Sequence, residues 1–297
     1  MAMRARQLEV FIAIMKAGTV TGASQILNIS QPALSQVLKR TEDEIGFLLF
    51  SRERGRLQPT PEAIELYPDA LRIFDGLEGL RRKTEDFKDG QTGMVRIGSS
   101  VPPSMSVLPK ALADFRHDHP DIQLRAHVAP LDALIAMLRA GDVNIALGFE
   151  DRVPPDITAE RIAETRFCCL VPDTEDFADM TSLTFSYLQQ HTLISYRSGT
   201  RARRELERAA SLQGNTFRPD LEIDSAISAV GFVQAGLGVA VVDALLPWSQ
   251  FQALTTRRLS NSPTLPLAML TMQERVLSQA DLKLMDALRS ACDRAGL

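Results

Sequence analysis

The 297-residue sequence is poor in reactive and aromatic side chains, with three cysteines, four histidines, one tryptophan and three tyrosines. Cys168 and Cys169 are neighbours and Cys292 lies far from them, so no disulfide framework is legible. The adjacent pair reads either as a redox switch or as two small buried residues of a strand. His117 and His119 flank Asp118 before Pro120 and read as a polar helix end, and the histidines offer no ligand set with metal-type spacing. No apolar run approaches the ~18 residues that would cross a bilayer. Residues Met1 to Lys16 set Arg4, Arg6 and Glu9 around a very short apolar stretch, which is not a secretory signal. The expectation is a cytoplasmic protein with no membrane partner, no metal and no cofactor. Enzyme signatures are missing too. There is no GxSxG, no P-loop and no GxGxxG after a strand, and Gly236-Leu237-Gly238 precedes a strand and lacks the third glycine.

A strong charge imbalance is also absent, the formal net charge being −4. The sum hides unlike parts. Residues 1–60 hold eight Lys/Arg against five Asp/Glu, a net of +3, whereas residues 61–92 are net −3 and the remainder is net −4. With 45% apolar residues the chain can bury proper cores, and its length suggests about two domains.

The basic segment has the pattern of a DNA reader. Leu8, Phe11, Ile12 and Met15 recur at i, i+3, i+4 and i+7, one face of an amphipathic helix that Gly18 stops. Ala23, Ile26 and Leu27 give a second, shorter face. Ser30 is an N-cap candidate and Pro32 falls in the first turn of a third helix, which buries Leu34, Val37, Leu38 and Ile45. Two short helices across a tight break match helix-turn-helix geometry, whose second helix enters the major groove. The outer face of the third helix carries Gln31, Ser35, Gln36, Lys39 and Arg40. Glutamine can bond adenine in a bidentate way, serine serves either kind of base, and lysine or arginine takes guanine or phosphate. A solvated face of a small helical bundle would look the same by periodicity alone.

The same residues carry a family resemblance. Gln7-Leu8-Glu9-Val10-Phe11, the run Thr21 to Leu27, and Ser30-Gln31-Pro32-Ala33-Leu34-Ser35 resemble the N-terminal domain of LysR-type transcriptional regulators. Glu44 to Arg52 is similar to that family's "LEEELGVxLFxR", and Thr60-Pro61-Glu62-Ala63 to its "LTxAG", with Pro61 inserted and Ile64 in place of the usual glycine. The resemblance implies a winged helix-turn-helix over residues 4–61, the motif proper at 21–40. Its DNA-binding set would be Ser30, Gln31, Pro32, Ser35, Gln36, Lys39 and Arg40. Phe50 to Pro59 would be the wing. On a strand-like hairpin, Arg52, Arg54 and Arg56 at alternate positions point one way and meet phosphates.

From Pro61 to Lys88, apolar residues recur at Ala63, Leu66, Tyr67, Ala70, Ile73, Phe74, Leu77 and Leu80. Spacings of three and four suit a helix that pairs with a second copy or docks on its own domain. Readers of two half-sites are commonly two-fold symmetric, which favours pairing as a homodimer or homotetramer. The linker and hinge are assigned to 62–92, with Lys88 to Gly93 polar and glycine-containing.

The remainder, 93–297, alternates strands and helices, giving an α/β fold with parallel sheets and ligand sites at the carboxyl ends of strands. Two such cycles imply two lobes, the first about 93–163 and 266–297, the second about 164–265. Val95 to Ser100, Leu138 to Gly148 and Val233 to Val242 resemble the effector-binding domain of the same family, similar in fold to periplasmic binding proteins. The fold class is therefore α/β overall, with an all-α winged helix-turn-helix, a long linker helix and a two-lobed α/β sensor.

Candidate effector contacts follow from the strand-to-helix loops. Ser99, Ser100 and Val101 follow the first strand, Pro130 and Leu131 open a helix at the same edge, and Gly148, Phe149 and Glu150 end the third strand. Tyr196, Ser198, Gly199 and Thr200 form the matching loop of the second lobe. Hydroxyls and N–H groups at such loops hold anions, and carboxylate capture at Ser99 and Ser100 is what the resemblance implies. Helix capping explains Ser99, Ser100 and Thr200 equally well. Glu150 and Asp151 read as a solvated loop or as partners of a cationic group. The second half is also similar to regulators of opine catabolism, so an amino-acid-like or organic-acid effector is expected. The functional expectation is a ligand-responsive transcription factor that binds a dyad operator in double-stranded DNA, with RNA polymerase a further candidate partner. The alternative is a cytoplasmic small-molecule-binding enzyme on the same lobes.

Overall fold

A computed structural model of the chain describes residues 3–53, 56–88, 94–149 and 151–297. The chain divides into two compact units, one of Met1–Gly90 with Arg139–Gly141 and one of Gln91–Leu138 and Asp142–Leu297.

In the first unit three helices, α1 (Ala5–Ala17), α2 (Val20–Ile26) and α3 (Gln31–Ile45), surround a small core. Local chemistry sets their ends. Gly18 takes the left-handed conformation (φ 64°) that closes α1, and the Thr19 hydroxyl accepts the Gly22 N–H at 3.0 Å to open α2. The Ser30 hydroxyl accepts the Ala33 N–H at 3.4 Å at the start of α3. Leu8, Phe11, Ile12, Ala23 and Leu34 are buried together, whereas Ile26 is 59% exposed and leaves the face expected for it. Strands β1 (Phe50–Glu53) and β2 (Arg56–Pro59) pair antiparallel. Glu42 holds their approach by accepting the Leu49 and Phe50 N–H groups at 2.8 and 3.1 Å. The 28-residue helix α4 (Pro61–Lys88) begins where the Thr60 hydroxyl accepts the Ala63 N–H, so the inserted Pro61 sits harmlessly in its first turn. Ala63, Tyr67 and Ala70 pack into the core, with Tyr67 edge-on to Phe11 at 6.2 Å.

The second unit opens with β3 (Val95–Ser99), α5 (Val101–Met105), α6 (Val107–Asp118), β4 (Leu124–Val128), α7 (Leu131–Ala140) and β5 (Ile145–Phe149). A 16-residue strand, β6 (Ile157–Pro172), then runs from one lobe into the other. The second lobe comprises α8 (Glu175–Ala178), β7 (Ser182–Leu183), α9 (Phe185–Leu188), β8 (Leu193–Tyr196), α10 (Arg201–Leu212), β9 (Leu221–Ile223), α11 (Ala229–Gln234), β10 (Val239–Asp243) and β11 (Leu254–Leu259). Strand β12 (Thr264–Met272) and helix α12 (Gln279–Ala295) return to the first lobe, where α12 packs on α6.

The strand order is β4-β3-β5-β12-β6-β10-β8-β9, with β11 on β6 and β7 on β11. Pairings β3–β4, β3–β5, β8–β9 and β8–β10 are parallel, as the alternating pattern implies. The sheet is nevertheless mixed, because β6 pairs antiparallel with β12, β10 and β11, and β12 with β5. By its own composition only Phe167 to Val171 of β6 reads as a strand. The preceding Ile157 to Arg166 reads as no strand of its own, yet nine register pairs with β12 fix it. Each lobe has its own apolar core. The neighbours Leu245 and Leu246 fall into different cores, so adjacent side chains after β10 reach into the two lobes. Gly238 precedes β10 where a Cβ would lie 2.0 Å from the Thr192 carbonyl oxygen, so only glycine fits this close approach.

Candidate nucleic-acid interface and effector cleft

On α3 the buried Leu34 and half-buried Val37 and Leu38 anchor one face. Ser30, Gln31, Pro32, Ser35, Gln36, Lys39 and Arg40 are all exposed on the rest. Arg40 is partly committed, its Nε donating to Glu44 at 2.8 Å, while Gln7 donates to the other Glu44 oxygen at 2.9 Å. Those two hydrogen bonds hold the Glu44 carboxyl below its usual range. Lys39 is exposed and has no such partner among the described residues.

The wing arginines need correction. Arg54 lies outside the described residues. Arg52 pairs in register with Leu57 and Arg56 with Glu53, so the two arginines sit on opposing strands at alternating pleat positions. The expected one-way alternation on the hairpin therefore does not hold for this pair, because cross-strand partners, not Arg52 and Arg56, share a pleat face. The linker stripe also splits. Ala63 and Ala70 are buried in the unit's own core, but Leu66, Ile73, Leu77 and Leu80 are 37%, 61%, 41% and 62% exposed and share one helix face, an apolar strip about four turns long.

The effector loops gather at the carboxyl ends of β3, β5, β8 and β9. Ser100 follows β3, and its Oγ is buried without a protein hydrogen-bond partner. Gly148 at the end of β5 lies beside it, where a Cβ would stand in ordinary contact at 3.5 Å from that oxygen. Val101 is half-buried at the start of α5, and Pro130 is exposed before α7. Phe149 touches both lobe cores. Ser198 and Gly199 are exposed, Gly199 taking the left-handed conformation (φ 84°) that turns the chain into α10. The Thr200 hydroxyl accepts the Arg203 N–H at 3.3 Å, so capping occupies it. Glu150 lies outside the described residues.

Two expected contacts do not reach the cleft. Ser99 is fully buried and its hydroxyl donates to the Ser100 carbonyl at 2.9 Å. Tyr196 is likewise buried, and its hydroxyl donates to the Asp243 carboxylate at 2.6 Å. Alternation along a strand turns one of each neighbouring pair inward, and the last residues of β3 and β8 face the core. Asp243 is itself fully buried and also accepts the Leu245 N–H at 3.1 Å. Burial without a cation pushes its carboxyl up to about 6 and the Tyr196 hydroxyl well above its ordinary value.

Sequence reasoning missed two features of this edge. Ser225, after β9, has a second buried hydroxyl without a protein partner. The short 3-10 turn it opens, Ala226–Ser228, packs against α5, which Ser100 opens. Its position one residue past a short strand, before a helical run, was the available signal. Asp151 of the first lobe forms an ion pair with Arg204 of α10, which also donates to the Gly199 carbonyl. The acidic residue beside the cleft is thus already partnered across it.

Burial pushes the Cys169 thiol up to about 12 and Cys168 well above its ordinary value, the environment of inert core cysteines. His119 ends α6 with its ring edge-on to Phe115 at 5.0 Å. Among the described residues no group of three or more His, Cys, Asp or Glu is placed to hold a metal, and no helix is long and apolar enough to cross a membrane.

Comparison with known proteins decides the family. Residues 5–64 match the bacterial regulatory helix-turn-helix protein family of lysR type, and residues 88–293 match the LysR substrate binding domain. This chain belongs to the LysR family. The transcriptional activator LysR of Escherichia coli is 30% identical over 244 residues, 82% of this chain and 78% of that one. The regulatory protein NocR of Agrobacterium fabrum is 27% identical over 240 residues, 81% and 80% of the two chains. Among solved structures, the LysR-family regulator CbnR superposes with a TM-score of 0.70 at 20% identity over 98% of this chain and 99% of that one. Full-length CbnR bound to its target DNA gives the same TM-score over 97% and 100%. As a LysR-family member the chain is a DNA-binding transcriptional regulator, and the enzyme alternative falls.

Proposed function

We propose that this LysR-family regulator binds a dyad operator as a homodimer or homotetramer in the cytoplasm and answers to a small molecule held between its lobes. In this reading Gln31, Ser35 and Gln36 read base edges, and Lys39, Arg40 and the wing arginines Arg52, Arg54 and Arg56 meet phosphates. The exposed strip Leu66, Ile73, Leu77 and Leu80 is the pairing face of α4. The observation that carries the reading is α3 itself. One face is locked into the core by Leu34, and every candidate reading residue from Ser30 to Arg40 is exposed on the other.

The effector is an organic acid or an amino-acid-like molecule, opines included. Ser100 and Ser225 offer it one uncommitted hydroxyl from each lobe, flanked by Val101, Pro130, Gly148, Phe149, Ser198, Gly199 and Thr200. Binding favours one lobe arrangement over another, which is the only way a ligand shifts an equilibrium. No further cofactor enters this reading, and RNA polymerase is the partner through which a bound regulator acts on transcription.

A gel-shift titration against DNA from the protein's own promoter region tests the first half. Tight, salt-sensitive binding to a dyad site is expected, and weak binding with no sequence preference overturns it. A thermal-shift screen of amino acids, opines and organic acids on the full chain tests the second. A hit must lose its shift in Ser100→Ala and Ser225→Ala.

A further inference from the structure

A groove of about 520 Å³ lies away from the effector loops, between α10, β6 and β12. Its walls bring together Arg161 and Glu164 of β6 with Arg201, Glu205 and Arg208 of α10, three cations against two anions. Arg201, Glu205 and Arg208 follow one another at spacings of four and three, which stacks them on one helix face.

Two of these cations are poorly satisfied. The Nε of Arg201 is buried and has no protein hydrogen-bond partner. Its ion partner, Glu205, stands 3.7 Å away, outside hydrogen-bond reach. The neighbouring Arg203 shows what a committed arginine looks like on the same helix, donating to Glu207 at 2.7 Å, to Glu222 at 3.0 Å and to the Tyr196 carbonyl at 3.1 Å. Arg208 is exposed and forms no ion pair among the described residues. A buried N–H of a charged group left without an acceptor is costly, and guanidinium forks match planar oxyanions in a bidentate way.

We propose that this groove is a second ligand site, separate from the cleft, that takes a small doubly charged oxyanion, a dicarboxylate or a phosphate. Arg201 and Arg208 hold the anion on α10, and Arg161 faces it from β6. The location gives the site a regulatory reach. Strands β6 and β12 carry the chain from one lobe to the other, and α10 begins at Thr200 and carries Arg204, the cross-lobe partner of Asp151. An anion that ties α10 to these strands biases the lobe arrangement and is thereby coupled to whatever binds the cleft.

The test uses the full chain, with sodium succinate and sodium phosphate as probes and sodium chloride at matched ionic strength as control. Wild type is expected to show a saturable rise in melting temperature of about 5 °C once a probe exceeds its Kd about 100-fold. Whichever probe gives the rise identifies the source of the anion. The rise should persist in Ser100→Ala/Ser225→Ala and vanish in Arg201→Gln/Arg208→Gln. The exposed single variant Arg208→Gln, which leaves the fold untouched, should shift the midpoint of the titration to higher anion concentration. No saturable rise with either probe overturns the proposal. So does a rise that Arg201→Gln/Arg208→Gln retains. A rise lost only in Ser100→Ala/Ser225→Ala would place the anion in the cleft, sinking this site while supporting the cleft reading.

Discussion

Asp243 is a carboxylate in a place that penalises its charge, and replacing it with asparagine exposes that penalty. It is fully buried, accepts hydrogen bonds from Tyr196 and Leu245, and has no cation beside it among the described residues. Its pKa is raised from 3.8 to about 6. A raised folded-state pKa means that the native protein holds the proton longer than the unfolded chain does. Stability from this group is full below pH ~4 and is lost as pH rises through ~6. Two pKa units correspond to about 3 kcal/mol at neutral pH, of which about 1.5 kcal/mol disappears between pH 5 and 8. A side-chain amide cannot ionise, so Asp243→Asn should flatten this part of the pH profile. Its cost at pH 5, where an amide donor replaces an acceptor, should be about 1–2 kcal/mol, and the deficit should close by about 1.5 kcal/mol at pH 8. The assay is urea unfolding followed by fluorescence. Trp248 is the only tryptophan and its indole N–H donates to the Asp243 carbonyl at 2.8 Å, so the signal reports this lobe. A difference between variant and wild type that stays constant from pH 5 to 8, or widens against the variant, would refute the argument.

Other expectations concern separate parts of the chain. Gln31→Glu, Ser35→Glu and Gln36→Glu should each abolish specific operator binding in a gel shift while leaving melting within about 0.5 kcal/mol of wild type, because these positions are exposed. Leu34→Ala removes a fully buried side chain and should destabilise the N-terminal unit by about 2–5 kcal/mol, read as early loss of helical circular dichroism with Trp248 fluorescence unchanged. Ile73→Glu with Leu80→Glu puts charge on the exposed strip of α4, and sedimentation should show the oligomer falling to monomer. Gly238→Ala drives a Cβ into the Thr192 carbonyl and should cost the sensor about 2–4 kcal/mol in urea unfolding; a loss under 0.5 kcal/mol would mean that the turn relaxes freely.

The N-terminal unit was the most legible part of the sequence, for a physical reason. Its helices are fixed by short-range signals, such as the apolar spacing of Leu8, Phe11 and Ile12, the Ser30 cap and the Gly18 stop, all readable without knowing what packs where. The first half of β6 was illegible because Ile157 to Arg166, rich in alanine, glutamate and arginine, has weak strand preference of its own. Pairing with β12, about a hundred residues away, decides it. The cleft failed in the same way at finer scale. Sequence could place Ser99, Ser100 and Tyr196 near a strand end but could not say which hydroxyl turns inward. Ser99 and Tyr196 turn into the core and Ser100 does not. The Asp151–Arg204 pair joins residues of opposite lobes, which no local pattern encodes.

The return of β12 and α12 to the first lobe has a consequence for synthesis. The second lobe is continuous in sequence, so its core can close once Leu265, at the start of β12, has left the ribosome. The first lobe cannot. Leu284, Met285, Leu288, Ala291 and Cys292 of α12 are part of its core, beside Val95, Ile97 and Phe115, and they are made only after the whole second lobe. The DNA reader is therefore complete well before the sensor, and a chain cut short before α12 would carry an intact reader with an unfinished sensor.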